Sequence, residues 1–549
     1  MIDTDPRVKY HSMRLSALQS DRSGWDAQWE ESAARVIPAH RDNFVSRGIG
    51  NALGTPGQKK TELQFDATAG LACLRFAAVM ESLSTPQNGR WHFLSPADKG
   101  LKRNRRVREF FDDLTDRLFS YRYRPVANFV GNSQQVYQSL GAYGNGSLFI
   151  DAPDQVRGLR YRNVHLGETY YVENHAGVID TLYRVYWLTA RQAVQAFPNA
   201  PDAIKAAANE PNQSERKFQF VHCVYPREDY VPGMLSPQGK SFASLYFSKE
   251  PLAFLSEGGY NEFPFAITRY TQASGEVYGR GPAQWVLPSI KLLNEEKKTN
   301  LKQGHRAADP VLLAYDDGTL DGFTMRSGYL NKGGISKDGK KLIDTLPTGN
   351  FAINEKMMDM ERAIINDAFL ISLFQILVEN PQMTATEVLE RAREKGMLLA
   401  PTAGRMQAEF LGPLIQRELE VLDKQGLLPR MPPILEQSGG EFTIEYDSPM
   451  SRMQRAESAS GFTRTLQIAA EYAKMTQDLD VLDHFDFDAA MPELLDINGA
   501  PVRWTRTKEQ VEERRKQRAE AAQMQQMTDA APGVAQLMKA APGAAGGAA

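Results

Sequence analysis

Cysteine is almost absent from this chain, which has two among 549 residues. Cys73 and Cys223 both lie in apolar segments, which predicts buried free thiols rather than a disulfide or a reactive pair. A chain without a disulfide framework suits a reducing compartment. The eight histidines are scattered, and none shows the Cys/His spacing of a zinc site. We therefore expect no metal centre built on these residues and no cofactor.

Long hydrophobic runs and a strong net charge are also missing. The most apolar segment, 368–378, has about 11 residues, whereas a membrane span needs about 20. The first residues contain neither a basic region nor an apolar run, so we expect no signal peptide. The net charge is −3, which excludes a globally basic nucleic-acid coat. Any contact with DNA would have to come from local patches.

Motifs of catalytic or nucleotide-binding chemistry are missing as well. Neither an HExxH pair nor a GxSxG elbow occurs. Residues 334–341 resemble a phosphate-binding loop, but Lys341 stands where Ser or Thr is needed, and Asp338-Gly339 is typical of a hairpin turn. The glycines within 141–146 and 279–281 lack the strand–glycine–helix context of a dinucleotide site. We interpret them as turns or points of close packing, and we expect no catalytic activity.

An acidic cluster near the C-terminus leaves one enzymatic alternative open. Five aspartates surround His484: Asp478, Asp480, Asp483, Asp486 and Asp488. Carboxylates at this spacing could hold a divalent metal in a DNA-processing enzyme. The same spacing also occurs in solvated acidic loops and helix caps.

The elements that are present indicate an α-rich part followed by a β-rich part. We expect helices at about 8–37, from Asp66 to Pro86, at 104–122, which is rich in Arg and Asp, and at 133–140. Predicted apolar faces are Trp25, Trp29, Ala33 and Ile37 in the first and Ala67, Leu71, Leu74 and Ala78 in the second. Strand-like runs follow at 147–151, 159–164, 168–173, 181–188, 218–225, 244–248 and 265–270, with a short helix capped by Thr189. The fold class is therefore α+β.

Two long helical patterns, which we call the helical hairpin, dominate the middle of the chain. The first runs from Tyr278-Gly-Arg-Gly-Pro282 to Asp309-Pro310, and Pro288 either restarts or kinks it. The second runs from about Asn350 to Val378. One-sided apolar positions are Val286, Ile290, Leu293 and Leu301 in the first and Ile353, Met357, Met360, Ile364, Ala368 and Ile371 in the second. The insert 310–350 contains three Asp-Gly pairs typical of β-hairpins. Such a hairpin has no obvious core of its own.

A polar break at 379–382 follows, and a capping box at Thr384-Ala-Thr-Glu387 predicts a new helix start. Further helices are expected up to Gln425, and a strand at 442–446. The tail from Ala530 is rich in Ala, Gly and Pro and predicts disorder.

Lysines along the helical hairpin and in its insert have two interpretations. Lys291, Lys297, Lys298, Lys302 and Arg306 lie along the first helix, and Lys332, Lys337, Lys340 and Lys341 lie in the insert. They are typical of a solvated helix face with acidic neighbours at Glu295 and Glu296. Alternatively, they make weak, sequence-independent contacts with phosphates.

The order of these segments resembles the head-to-tail connector, or portal, proteins of short-tailed, T7-like bacteriophages. The resemblance covers about residues 10–520. It is carried by Phe65-Asp66-Ala-Thr68-Ala69 through Arg90-Trp91-His-Phe93, Gly144-Asn-Gly146-Ser-Leu, Tyr278-Gly-Arg-Gly-Pro282 through Leu293-Asn294, Ala308-Asp309-Pro310, Met383-Thr-Ala-Thr-Glu387-Val and Glu409-Phe-Leu-Gly-Pro-Leu-Ile415.

The resemblance implies a portal fold with a mainly helical stem and crown, a β-rich wing segment and a small α/β clip. The implied segments are wing 1–275 (β-rich from about 140), stem 276–306 and 352–378, clip 307–351, tunnel loop 379–383, further wing 384–446, crown 447–528 and a disordered tail 529–549. It places DNA-channel residues at Lys297, Lys298, Lys302, Glu379, Asn380 and Gln382, and docking residues of the clip at Lys332, Lys337, Lys340 and Lys341.

The resemblance also implies partners. The chain would form a homo-oligomeric ring, usually of twelve subunits, at a capsid vertex of the virion, after assembly in the host cytoplasm. Double-stranded DNA would pass through it without sequence preference and without a membrane partner. The implied protein partners are the terminase large subunit, tail adaptor and nozzle proteins, major capsid and scaffolding proteins, and internal core proteins.

Overall fold

The structure is a computed structural model in which most of the chain up to residue 447 is described. The described residues are 5–44, 57, 59–87, 89–98, 100–152, 157–314, 324, 326, 328–330, 332, 334–346, 351–371 and 401–447, with short pieces between 461 and 521. Among the helices in these ranges, none combines the length and apolar character of a membrane span.

Helices and antiparallel strands alternate along the chain. The helices are α1 Pro6–Asp21, α2 Ser23–Val36, α3 Thr68–Ser84, α4 Arg105–Arg122, α5 Phe129–Tyr143, α6 Ala190–Ala196, α7 Asp202–Asn209, α8 Pro282–Trp285, α9 Leu287–Ala308, α10 Phe351–Ala368, α11 Gly412–Lys424 and α12 Pro433–Gln437. The strands are β1 His92–Pro96, β2 Asn145–Asp151, β3 Arg160–Val164, β4 Thr169–Glu173, β5 Ile179–Thr189, β6 Lys217–Pro226, β7 Phe242–Lys249, β8 Leu252–Tyr260, β9 Phe265–Arg269, β10 Leu312–Ala314, β11 Ile343–Thr345 and β12 Phe442–Tyr446. This confirms the predicted α+β class.

A five-stranded antiparallel sheet, ordered β4-β5-β6-β7-β8, is the centre of the larger unit, Met1–Trp91 with Leu118–Leu428. One face packs Tyr183, Val185 and Cys223 against Val8 and Leu15 of α1. The opposite face packs against α6 and α7, which are inserted between β5 and β6. Because both faces of the sheet are covered, apolar side chains point from one strand toward each face.

The larger unit has a second sheet, ordered β3-β2-β9. Its strand β9 precedes the helical hairpin in the sequence. Helix α5 leads into β2 through Gly144, and it packs against α3. Strand β9 ends at Arg269, and α8 begins soon afterwards at Pro282. The predicted cap of α6 is present, since the Thr189 hydroxyl accepts a hydrogen bond from the Gln192 amide.

The smaller unit is built from His92–Arg117 and Pro429–Ala549. Its described sheet pairs β1 with β12 in an antiparallel register that places His92 opposite Tyr446. The Ser95 hydroxyl lies 2.8 Å from a Glu445 carboxylate oxygen across this pair. The predicted strand 442–446 is confirmed, whereas its partner β1 was not predicted.

One predicted core face was wrong. Leu71, Leu74 and Ala78 of α3 lie on the exposed side of the helix, with Leu71 52% and Leu74 49% exposed. The buried side is formed instead by Ala72, Cys73, Phe76, Ala77 and Met80. Cys73 and Phe76 of this side lie against Gly141 of α5. Periodicity identified a helix correctly but chose the wrong one of its two apolar sides.

Candidate functional site: the helical hairpin and its junction

The helical hairpin forms as the sequence predicts, with a break at its start. Helix α8 ends at Trp285, and α9 restarts at Leu287 with Pro288 in its first turn, where a missing N–H costs nothing. Helix α10 returns alongside α9, and the Asn354 side chain donates to that of Gln303 at 2.8 Å. The described part of α10 ends at Ala368, before the predicted end at Val378.

The junction where the hairpin leaves the sheets is made of glycines packed backbone to backbone. Gly144 has a φ of 74°, the left-handed conformation that favours glycine. A Cβ atom on Gly281 would lie 2.6 Å from the Gly144 nitrogen, so no side chain fits there. The Tyr270 amide donates to the Gly144 carbonyl at 2.9 Å. The interpretation of these glycines as turns and close packing is confirmed.

The buried side chain of Asn145 stabilises this junction by hydrogen bonds. It is fully buried, and its side chain both donates to the Gly279 carbonyl at 2.9 Å and accepts from the Gly279 amide at 2.8 Å. A fully buried amide is stable only when its polar atoms are paired, and here two of its partners come from one residue. Asn145 and Gly279 belong to two motifs of the resemblance and are 134 residues apart in the sequence, yet they are in direct contact.

A third motif of the resemblance contacts both helices of the hairpin. The Asn294 side chain on α9 accepts hydrogen bonds from the Phe65 and Asp66 amides at 2.7 and 3.1 Å. The Asp66 carboxylate pairs with Arg362 on α10 at 2.9 Å. Burial alone would raise the pKa of Asp66, but the hydrogen bonds from Thr68 and Arg362 outweigh it and lower that pKa below its ordinary value.

Two carboxylates of α9 and α10 interact unfavourably. Both oxygens of Glu296 and one oxygen of Glu361 are shielded from solvent and have no hydrogen-bond partner among the described residues. Burial, and secondarily the negative charge of Glu361, raise the pKa of Glu296. Glu296 is therefore not the freely solvated acidic neighbour that the sequence predicts.

The predicted apolar face of α10 is present but is left open by the rest of the described chain. Met357, Met360 and Ile364 are 46%, 55% and 46% exposed. On α9, Leu292 and Leu301 are 45% and 48% exposed. Other predicted positions are buried: Ile290 and Leu293 of the first helix and Ile371 of the second. Met358, Ile365 and Phe369, which were not assigned to a face, are buried as well. Within the described structure, the two long helices thus leave several large apolar side chains exposed.

The three predicted channel lysines of α9 differ in their surroundings. Lys298 lies 3.6 Å from a Glu295 oxygen and 5.5 Å from the centre of the Phe65 ring. Lys302 is exposed, and Lys297 is half-buried. Neither of these two has an ion-pair partner within the described ranges. Lys291, by contrast, pairs with Glu31 at 2.7 Å.

The predicted docking lysines of the insert are brought together on a short hairpin. Lys337, Lys340 and Lys341 belong to a turn in which the Ser336 amide donates to the Lys340 carbonyl at 2.8 Å and Gly339 has a φ of 78°. Ile335 pairs with Lys341 in an antiparallel bridge. These three lysines and Lys332 are all exposed. Asp338-Gly339 is therefore a hairpin turn, as predicted, rather than part of a phosphate-binding loop.

Several predicted site residues lie outside the described residues. These are the whole tunnel loop with Glu379, Asn380 and Gln382, the capping box at Thr384, the tail 529–549, and Asp478, Asp480, Asp483, His484 and Asp488 of the acidic cluster. Within the part of the chain that is described, no group of three or more His, Cys, Asp or Glu residues could hold a metal ion.

The residues that sequence reasoning missed are the asparagines. Asn145 and Asn294 lie within motifs of the resemblance, but the sequence alone indicates no role for either. Neither follows an apolar period or a metal-ligand spacing, so periodicity gives no signal for them. Their only signal is a polar side chain next to glycine or inside an apolar helix face.

Comparisons with known proteins agree with this arrangement. The profile of the family described as "Bacteriophage head to tail connecting protein" matches residues 9–505. The "Probable portal protein" of Bordetella phage BPP-1 is 26% identical over 93% of this chain and 91% of that protein. The "Portal protein" of Salmonella phage epsilon15 is 25% identical over the same shares.

A solved structure described as "Neck of native GTA particle computed with C12 symmetry" aligns with 78% of this chain and 93% of that chain. Its sequence identity is 12% and its TM-score is 0.35, which is too low to support an argument about assembly. The family match stands independently, since it spans the sheets, the junction and the helical hairpin. This chain belongs to the bacteriophage head-to-tail connecting protein family.

Proposed function

We propose that this chain is the portal subunit of a phage head, which assembles with copies of itself into a closed ring and conducts double-stranded DNA. The observation that carries the proposal is the uncovered apolar face of α10, with Met357, Met360 and Ile364. The family match supplies the location, since a head-to-tail connecting protein lies where the virion's head meets its tail.

A ring explains why these side chains remain uncovered in one subunit. In a heterologous interface, one surface of a subunit contacts a different surface of its neighbour, and the contacts close only in a ring. The apolar face of α10 then packs against the next subunit instead of against its own core. By the family resemblance the ring has twelve subunits, and α9 and α10 form its stem.

Ring assembly is tested with Met360→Asp and a matched control, Met13→Asp. Both methionines are exposed, 55% and 67%, and both variants receive the same charge on a helix. We expect negative-stain images of the wild type and of Met13→Asp to show rings with a central hole, and Met360→Asp to give smaller species. Rings of Met360→Asp at wild-type yield, or equal loss in both variants, would contradict the role of α10.

DNA contact in the channel is assigned, as a proposal, to Lys297, Lys298 and Lys302 with Glu379, Asn380 and Gln382. Support for it comes from the exposure of Lys302 and from the absence of a partner for Lys297 and Lys302 among the described residues. Few unpaired lysines suit DNA that must slide, since each phosphate contact adds salt-dependent affinity. Gln382→Glu should alter DNA packaging or retention without breaking the ring. Unchanged DNA packaging by the Gln382→Glu variant would refute the assignment of the tunnel loop 379–383 as a DNA contact.

Docking is assigned to the insert between α9 and α10, with Lys332, Lys337, Lys340 and Lys341 contacting first the terminase large subunit and then tail adaptor and nozzle proteins. All four lysines are exposed. Major capsid, scaffolding and internal core proteins complete the proposed set of partners. Lys337→Glu with Lys340→Glu should weaken pull-down of the tail adaptor by assembled rings while the rings persist.

The family is a structural one, so membership supports the prediction that the chain is not an enzyme. The alternative, a metal-dependent DNA-processing enzyme using Asp478–Asp488, gains no support from the comparisons. Metal-dependent DNA cleavage that is lost in Asp483→Ala would revive it.

A further inference from the structure

The most basic stretch of the chain lies at the start of α4, outside the helical hairpin and its insert. Between residues 99 and 108, six of ten residues are Lys or Arg and none is acidic. In a chain with a net charge of −3 this is a local exception. We call Lys102, Arg105, Arg106 and Arg108 the basic cluster. It lies in the smaller unit, at the start of α4.

Carboxylates of the same unit neutralise only part of the basic cluster. Lys102 lies 2.5 Å from Glu445, and Arg105 lies 2.6 Å from Glu109. These pairs are substantially exposed, with side-chain exposures of 35–48%. Exposed ion pairs of this kind contribute little to stability, so a phosphate can replace the carboxylate at little cost.

Two arginines of the basic cluster are left without a carboxylate. Among the described residues, neither Arg106 nor Arg108 has an acidic oxygen within 4.0 Å. Arg106 is exposed. The Nε atom of Arg108 is shielded from solvent and finds no hydrogen-bond acceptor in the described structure. Unpaired guanidinium groups are suited to a multiply charged anion, because their N–H donors match phosphate oxygens.

The position of the basic cluster strengthens its positive potential. Asn104 caps the helix, and its side chain accepts from the Arg106 amide at 3.0 Å. The helix macrodipole places partial positive charge at the N-terminus, where Arg and Lys are normally disfavoured. The first turn of α4 contains no acidic residue. Arg106 and Arg108, which have no carboxylate within 4.0 Å among the described residues, add to the positive charge at this end of the helix.

We propose that the basic cluster binds the phosphate backbone of double-stranded DNA, as a contact separate from the lysines of α9. The proposal rests on the proposed function, which brings a duplex to the subunit. Binding through phosphates alone is independent of sequence and weakens as salt rises. The cluster thus holds DNA at low salt without selecting a site.

The test uses assembled rings and a linear duplex, with affinity measured by fluorescence anisotropy at two salt concentrations. Lys102→Gln with Arg106→Gln removes two exposed charges, and Arg216→Gln with Lys217→Gln removes two exposed charges from the larger unit as a matched control. Affinity for the duplex falls as the salt concentration rises from about 50 to 200 mM. Loss of two phosphate contacts should make the ratio of the affinities at these two concentrations roughly tenfold smaller. The control should retain the wild-type fall.

The outcomes separate this proposal from the proposed function. A salt dependence of the Lys102/Arg106 variant equal to that of the wild type, in samples that show rings, overturns the basic cluster as a DNA contact and leaves the ring intact. Binding of poly-glutamate that the variant loses, with DNA binding unchanged, overturns it in favour of an acidic protein partner. Absence of rings in the wild type refutes the proposed function instead.

Discussion

Acidification should destabilise the five-stranded sheet through His222. This histidine is buried, stacks on Tyr246 at a centroid distance of 4.1 Å, and lies 2.9 Å from the Ser244 hydroxyl through Nε2. Burial lowers its pKa to about 3, and Arg184, its register partner on β5, contributes in the same direction. The folded chain therefore keeps His222 neutral.

The magnitude follows from the difference in pKa between the unfolded and folded chain. Unfolded histidine titrates near pH 6.5, so the unfolded chain binds the extra proton first. Stability from this group is complete above about pH 6.5 and falls as the pH drops toward the folded pKa, by about 1.4 kcal/mol per pH unit. At about pH 5 the loss from His222 alone is about 2 kcal/mol.

The assay compares guanidinium unfolding of the wild type and His222→Gln at about pH 7 and pH 5. Glutamine can keep a hydrogen bond to Ser244 but does not titrate. We expect the variant to be less stable at pH 7, because it loses the stacking on Tyr246, and to lose about 2 kcal/mol less than the wild type on acidification. Carboxylates titrate equally in both proteins and cancel. Parallel pH dependences would refute the reasoning.

Three further predictions concern other buried groups. Glu418→Gln should destabilise the larger unit by about 3–5 kcal/mol in unfolding experiments, since it leaves the fully buried Arg122 without its carboxylate; a loss under 1 kcal/mol would show that the pair contributes little. Gly144→Ala should cost at least about 1–3 kcal/mol, measured as a lower melting temperature, because the left-handed φ and the backbone of Gly281 leave no room for a Cβ. Cys73, whose pKa burial raises to about 12, should react with a disulfide reagent only after denaturation; fast labelling of the native protein would contradict its burial.

Much of the fold could be predicted from local pattern, because each signal depends on neighbours in sequence. The predicted strands from Ser147 to Tyr270, the restart at Pro288 and the hairpin turn at Gly339 are all observed. Strand β8, Leu252–Tyr260, was not predicted, and it contains Gly258 and Gly259. A Cβ on Gly259 would lie 2.6 Å from the Cβ of Lys240, which precedes β7, so this close approach favours glycine.

Periodicity does not indicate which apolar face of a helix is buried by the rest of the protein. Leu71 and Leu74 recur at helical spacing as regularly as Cys73 and Phe76, yet only the latter pair is buried. The same limit applies to the functional site. Asn145 and Asn294 act through contacts with segments far away in sequence, and no local pattern indicates which backbone groups a buried asparagine will bind.

The glycine junction has a consequence for variation among relatives. The start of the helical hairpin contacts Gly144 through main-chain atoms, so no side chain separates the two segments at this point. Variation at Gly144 or Gly281 is therefore restricted, since any Cβ atom there would push the two backbones apart. In a closed ring a small angular error would repeat at every subunit and prevent closure. The close backbone contact at this junction limits such an error at the base of each hairpin.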